Sequence, residues 1–141
     1  MSIRSRTRLV VHAVWATKDR SRVLSEDRDP WLLASLGRVA LAHGGEVLAA
    51  GVSDDHVHAV LRWDASVALS TVIGRLKGAV SHAWNSTFPD TVLVWQDGFW
   101  AESCAPEVPP SLLDYVLHQR ARHATGSLDA AWELPPWKTS R

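Results

Sequence analysis

Residues 7–16, TRLVVHAVWA, constrain the fold of this chain more than any other stretch. Successive side chains of a strand point to opposite faces, and here both sets are mostly apolar: Leu9, Val11 and Ala13 against Val10, His12 and Val14. A strand of that kind needs cover on both faces. With 141 residues the chain can build such layers as one domain, 1–141, in which about 124–141, with Gly126, Pro135 and Pro136, reads as a loose C-terminal tail.

The remaining pattern supplies the layers. Asp29-Pro30 reads as a helix start, Asp as N-cap and Pro at the first helical position. Leu32, Leu33, Leu36, Val39 and Ala40 then share a stripe, and Gly44-Gly45 stops the helix. Residues 46–52 read as a second strand, Ser53-Asp54-Asp55 as a tight turn, and 56–63 as a third strand. Asp64 or Ser66 is positioned to cap a second helix to about residue 85, with Leu69, Val72, Ile73, Leu76, Val80, Ala83 and Trp84 on its apolar side. Pro89-Asp90 breaks the chain, and 91–103 reads as a fourth strand or bent ribbon carrying Trp95, Phe99 and Trp100. Pro109-Pro110-Ser111 starts a last helix to about residue 123. This order predicts an α+β fold, a ferredoxin-like antiparallel sheet (βαββαβ) with both helices on one face and an extra C-terminal helix.

Composition excludes several classes. No apolar run approaches the roughly eighteen residues of a membrane span, and no secretory signal follows the basic N-terminus, so a cytoplasmic protein without membrane contact is expected. The single cysteine, Cys104, leaves no internal disulfide or cysteine-based zinc cluster and reads as buried and structural. Net charge is zero, unlike proteins that coat nucleic acid. The basic residues are nevertheless clustered, with Lys18 and Arg20, Arg75 and Lys77, and Arg120 and Arg122 as candidates for a local phosphate footprint.

The sharpest local feature is Asp55-His56-Val57-His58. On a strand His56 and His58 project to one face while Val57 enters the core, so both imidazoles can meet one cation. Two histidines are too few ligands. Tyr115, the only tyrosine, and Gln119 lie four apart on the last helix, hence on one face, and the Gln119 amide oxygen suits Mg²⁺ or Mn²⁺. Together these parts compose a mechanism: Tyr115 attacks a phosphate in line, giving a covalent 5′-phosphotyrosine and a free 3′-OH, with a bound cation offsetting phosphate charge. No dedicated base for the phenol is evident.

With those residues in place, the chain resembles the single-tyrosine HUH transposases of small insertion sequences, REP-associated relatives included, over about residues 8–133. The resemblance rests on Val11-His12-Ala13-Val14-Trp15 and Thr17-Lys18-Asp19-Arg20, on His56-Val57-His58, and on Leu76-Lys77-Gly78. It extends through Val94-Trp95-Gln96-Asp97-Gly98-Phe99-Trp100 and the spacing from Tyr115 to Gln119. It implies a ferredoxin-like fold, hairpin single-stranded DNA as substrate, a divalent metal and a homodimer. His12 reads as a hydrogen-bonded core or near-site residue, His43 as a helix-end residue, His82 and His118 as surface, and His123 as a lesser candidate for DNA or metal contact. The eight tryptophans read mostly as core, Trp95 and Trp100 being candidates for base stacking. A histidine-triad hydrolase is disfavoured by Val60 where that chemistry needs histidine. A domesticated nucleic-acid-binding module of the same fold is the alternative function, and larger HUH initiators and relaxases stand third.

Overall fold

The computed structural model describes residues 6–133, so the first residues of the basic N-terminus and residues 134–141 of the expected tail lie outside it. Strand β1 (Val10–Ala16) is buried at every position and lies inside a four-stranded sheet ordered β2-β3-β1-β4. Helix α1 (Asp29–Ala42) leads to β2 (Gly45–Val52) and then β3 (His56–Trp63); α2 (Leu69–Thr87) precedes β4 (Trp100–Cys104). All pairings are antiparallel, with Val14 opposite His58 and Gly51 opposite His58 on the other side. This is the expected βαββαβ arrangement, with β1 and β3 in its interior.

Strand alternation divides the core in two. Val11, Ala13 and Trp15 of β1 and Val57, Ala59 and Leu61 of β3 pack with Leu32 and Leu36 of α1 and Ile73, Leu76 and Trp84 of α2. On the opposite face Val10, Ala49 and Val60 meet Leu112 and Val116 of α3 (Pro110–Leu117). The extra helix therefore covers the face that the first two helices leave free, and His12, His56 and His58 are buried on that side.

Several local expectations are corrected. Asp29 does not cap α1; its carboxylate takes two hydrogen bonds from Arg120, at 2.6 and 2.7 Å. Neither Asp64 nor Ser66 caps α2, which starts at Leu69, because Asp64 closes a local turn onto Ser66. The fourth strand is confined to Trp100–Cys104. Within 91–99 only a single antiparallel bridge, Thr17 to Trp95, continues the ladder, with the Lys18 N–H donating to the Val94 carbonyl and the Gln96 N–H to the Ala16 carbonyl. Side chains serve other groups, Asn85 bonding both backbone groups of Leu93 and Lys77 Nζ donating to the carbonyls of Gln96 and Gly98 at 2.7 and 2.8 Å. Cys104 is half-buried at a strand end, not in the core.

The last helix is broken at His118, whose φ of −115° and ψ of 37° end α3 and precede α4 (Gln119–Thr125). The chain after Gly126, expected to be loose, instead folds back as far as it is described: Trp132 packs edge-on to Tyr115, with ring centroids 5.1 Å apart. Among the described residues, no helix is long and apolar enough to cross a membrane.

Candidate functional site

His56 and His58 project from the buried half of β3, as the alternation requires, and are 1% and 0% exposed. Such polar rings are costly inside a protein unless partnered. Each has a partner on Nδ1 and none on Nε2. His56 Nδ1 lies 2.7 Å from an Asp55 oxygen, while His58 Nδ1 lies 2.9 Å from Nε2 of His12 on β1. Both Nε2 atoms are buried without a hydrogen bond.

They face the Glu133 carboxylate, with His56 Nε2 3.6 Å from Oε1 and His58 Nε2 3.5 Å from Oε2. One donor atom from each of these three residues lies within 4.8 Å of the others. Ligands on one ion at bonds of ~2.1 Å stand roughly 3.0–3.4 Å apart, so the two imidazole–carboxylate separations nearly match a divalent cation and the set as a whole would draw in around it. The orphaned Nε2 atoms are what such an ion would satisfy.

Tyr115 is fully buried on α3, its ring centroid 5.9 Å from that of His58. Its hydroxyl donates to Glu133 Oε2 and accepts from the Asp129 backbone N–H at 3.1 Å. The sole tyrosine and the strand histidines are thus brought together within one chain. Gly51 makes the approach possible: a Cβ there would stand 1.7 Å from the Val116 carbonyl oxygen and 3.1 Å from Gln119 Cγ.

Gln119 is 1% exposed, across the His118 break from Tyr115. Its amide nitrogen donates to the Tyr115 carbonyl at 2.8 Å, and its amide oxygen faces His123 Nε2 at 3.2 Å. His123 also reaches Glu133 Oε1 at 3.1 Å, and its ring centroid lies 4.8 Å from that of His56. It joins the centre more closely than its sequence context indicated. Glu133 is what sequence reading missed, while His12, read as a hydrogen-bonded core or near-site residue, is buried against His58.

Electrostatics follow the contacts. Burial alone would raise the Asp55 pKa, but hydrogen bonds from His56 and Arg20 bring it down to about 2. Burial pulls His56 downward, and its hydrogen bond to Asp55 together with the nearby Glu133 carboxylate outweighs that and raises it. His58 is lowered, chiefly by burial, and His12 falls to about 4 through burial and then the neighbouring His58. For Glu133 burial acts upward, yet its contacts with His56, His58 and Tyr115 hold it well below the usual carboxylate range. Burial and the Glu133 carboxylate push the Tyr115 phenol up.

The candidate phosphate-binding residues divide into two groups. Lys18 and Arg75 are exposed and make no ion pair among the described residues. The others already have partners. Arg20 forks onto Asp55 at 3.1 and 3.3 Å, Lys77 holds the 96–98 loop, and Arg122 pairs with Asp114 while lying over the Tyr115 ring. Arg120 is bound by Asp29, Asp54 and the Leu24 carbonyl. Arg20, Arg22, Ser53, Asp54, Arg120 and His123 line a polar cleft of about 400 Å³ that reaches Asp55. Trp95 is largely core, its indole N–H donating to the Lys77 carbonyl, while Trp100 stands edge-on to His12.

Fold and site together define a ferredoxin-like α+β domain with a centre of histidines and a carboxylate on the face opposite α1 and α2. The chain belongs to the IS200-like transposase family, whose sequence model matches residues 5–119. Tyr115 and Gln119 fall inside that match, His123 and Glu133 beyond it. Among solved structures it is similar to a proposed transposase from Deinococcus radiodurans R1, at 24% identity and a TM-score of 0.66, covering 85% of this chain and 98% of that one. It is also similar to a REP-associated tyrosine transposase bound to a REP hairpin, at 18% identity and a TM-score of 0.59, covering 87% of this chain and 74% of that one. No curated protein matches the sequence.

Proposed function

We propose that this transposase-family chain cleaves and rejoins single-stranded DNA, with Tyr115 as nucleophile and a divalent cation, Mg²⁺ or Mn²⁺, bound by His56 and His58. The observation that carries this reading is the meeting of the sole tyrosine with the imidazole pair at one carboxylate, Glu133. Glu133 and Gln119 are the oxygen donors that complete the set, the first beside the imidazoles and the second through its amide oxygen on the His123 side. When bound, the cation supplies Lewis-acid stabilisation of charge on the phosphate.

The chain's own residues do the rest. The Tyr115 oxygen attacks phosphorus, the P–O3′ bond breaks, and the departing 3′ oxygen takes a proton. Glu133 Oε2, already accepting the phenol's hydrogen bond, is the acceptor for the proton that Tyr115 gives up. The 5′-phosphotyrosine retains the ester bond, so the 3′-OH of another strand can reverse the step and complete a transfer. Lys18, Arg20 and Arg75 are exposed and contact the DNA backbone; Lys77, Arg120 and Arg122 act there mainly by holding the loops and helices that flank the site. A hairpin is the proposed substrate, supported by the hairpin bound to the REP-associated neighbour. A homodimer is the proposed assembly, and the meeting of the phenol and the imidazoles inside one chain supports a site formed within each protomer.

The test is incubation with hairpin single-stranded DNA and Mn²⁺, followed by a denaturing gel. Wild-type protein is expected to form a covalent adduct that Tyr115→Phe does not form and that His56→Ala forms poorly. Retention of DNA by the wild-type chain with no adduct would overturn the reading in favour of a binding module.

A further inference from the structure

His56 and His58 are held from behind by different chemistry. The Asp55 carboxylate, 2.7 Å from His56 Nδ1, only accepts when ionised. Neutral His56 therefore keeps its proton on Nδ1 and presents a lone pair on Nε2. The group behind His58 is another imidazole, with His12 Nε2 2.9 Å from His58 Nδ1. An imidazole nitrogen can donate or accept. If His12 donates, neutral His58 must carry its proton on Nε2, facing Glu133, where it bars coordination. If His12 accepts, the proton sits on His58 Nδ1 and the Nε2 lone pair is free. The usefulness of His58 as a ligand thus turns on His12.

His12 is well placed for that role. It is 1% exposed on an interior strand, its ring stacked on His58 at 5.2 Å and backed by the edge of Trp100 at 5.1 Å. Antiparallel register sets His12 opposite Val60, so His58 is its diagonal neighbour on the same face. The remaining ring nitrogen, Nδ1, is buried without a protein partner, and His12 lines a cleft of about 200 Å³ that Glu102 also lines. A cation on His58 Nε2 leaves the His58 proton on Nδ1, where His12 Nε2, 2.9 Å away, is the acceptor and His12 keeps its own proton on Nδ1.

We infer that His12 is a positioning residue: it accepts a hydrogen bond from His58 Nδ1 and so fixes the tautomer that turns His58 Nε2 toward a cation. The inference rests on the reading of His56 and His58 as cation ligands, and its first test does not require a metal. Long-range ¹H–¹⁵N correlation spectra of the metal-free wild-type protein at alkaline pH report which nitrogen of each imidazole is protonated. Protonation on Nδ1 in His58 and in His12 is expected; a His58 protonated on Nε2 overturns the inference.

The second test is Mn²⁺ titration calorimetry. His12→Phe keeps an aromatic ring and removes the acceptor, and affinity is expected to fall about 10- to 100-fold. His12→Gln restores an acceptor oxygen and is expected to recover most of that loss. Wild-type affinity in His12→Phe overturns the inference. Should His12→Phe fail to fold, the wild-type spectrum and the glutamine variant still decide. A wild-type chain that binds no Mn²⁺ would instead sink the cation-site reading, and the His58 tautomer would still support or overturn the role given to His12.

Discussion

Replacing Gly51 with alanine tests how the site is assembled. The added Cβ would stand 1.7 Å from the Val116 carbonyl oxygen and 2.9 Å from its carbon. A close carbon–oxygen contact in proteins is roughly 3.3 Å, so a separation must open by roughly 1.5 Å. The obstructing atoms are backbone, and no side-chain rotation relieves them. Either α3 lifts from β2 or the strand bends where it pairs with His58. Overpacking of this kind costs about 1–3 kcal/mol, which a domain of this size can survive. The chemical effect should be larger, because a displacement of about 1 Å from productive geometry costs on the order of 100-fold in rate. We expect Gly51→Ala to fold, with a lowered urea midpoint, and to form the Tyr115–DNA adduct at least about 100-fold more slowly. Gly37→Ala is the control: nothing lies within 4 Å of its added Cβ, and α1 is on the other side of the sheet. It should leave adduct formation unchanged and stabilise slightly. Wild-type adduct formation by Gly51→Ala would refute the view that α3 must sit this close to deliver the phenol.

Arg120→Ala removes contacts to Asp29, Asp54 and the Leu24 carbonyl, and chemical denaturation should show a loss of about 2–3 kcal/mol. Arg120→Lys should not recover it, since an ammonium cannot reproduce the fork. Arg75→Ala should leave stability unchanged and reduce the salt dependence of DNA retention by about one phosphate contact. Asp55 has a folded pKa of about 2 against 3.8 for the free group. A depressed carboxylate contributes stability that is fully present above the free value and lost as pH falls through the folded one. In metal-free protein Asp55→Asn should therefore cost about 2 kcal/mol near neutrality, with the gap to wild type closing as pH falls from about 4 toward 2 in urea titrations. A gap that stays constant across that window would show that Asp55 does not act through its charge.

Strand period made much of the molecule legible from sequence. Both-face burial of β1 and the same-face pairing of His56 and His58 follow from alternation alone. What stayed hidden depends on contacts between distant segments. Asp29 reads as a helix cap until Arg120, 91 residues away, takes its carboxylate. The aromatic run 91–99 reads as strand, yet only one bridge to Thr17 forms and Lys77 and Asn85 take the backbone groups of Leu93, Gln96 and Gly98 that they reach from α2. His12 was visible as a strand histidine, but its bond to His58 depends on which strands are neighbours. Glu133 had no local signal, because only a chain reversal after α4 brings it to the imidazoles.

The division of the sheet into an apolar face under α1 and α2 and a mixed face under α3 has an evolutionary consequence. Most of the buried hydrocarbon lies on the side away from the histidines and the phenol. Changes among the residues of the candidate site therefore draw on a separate reserve of cohesion from the one that keeps the domain folded. A lineage carrying this architecture can discard its chemistry and keep its shape, which leaves a sturdy scaffold open to reuse.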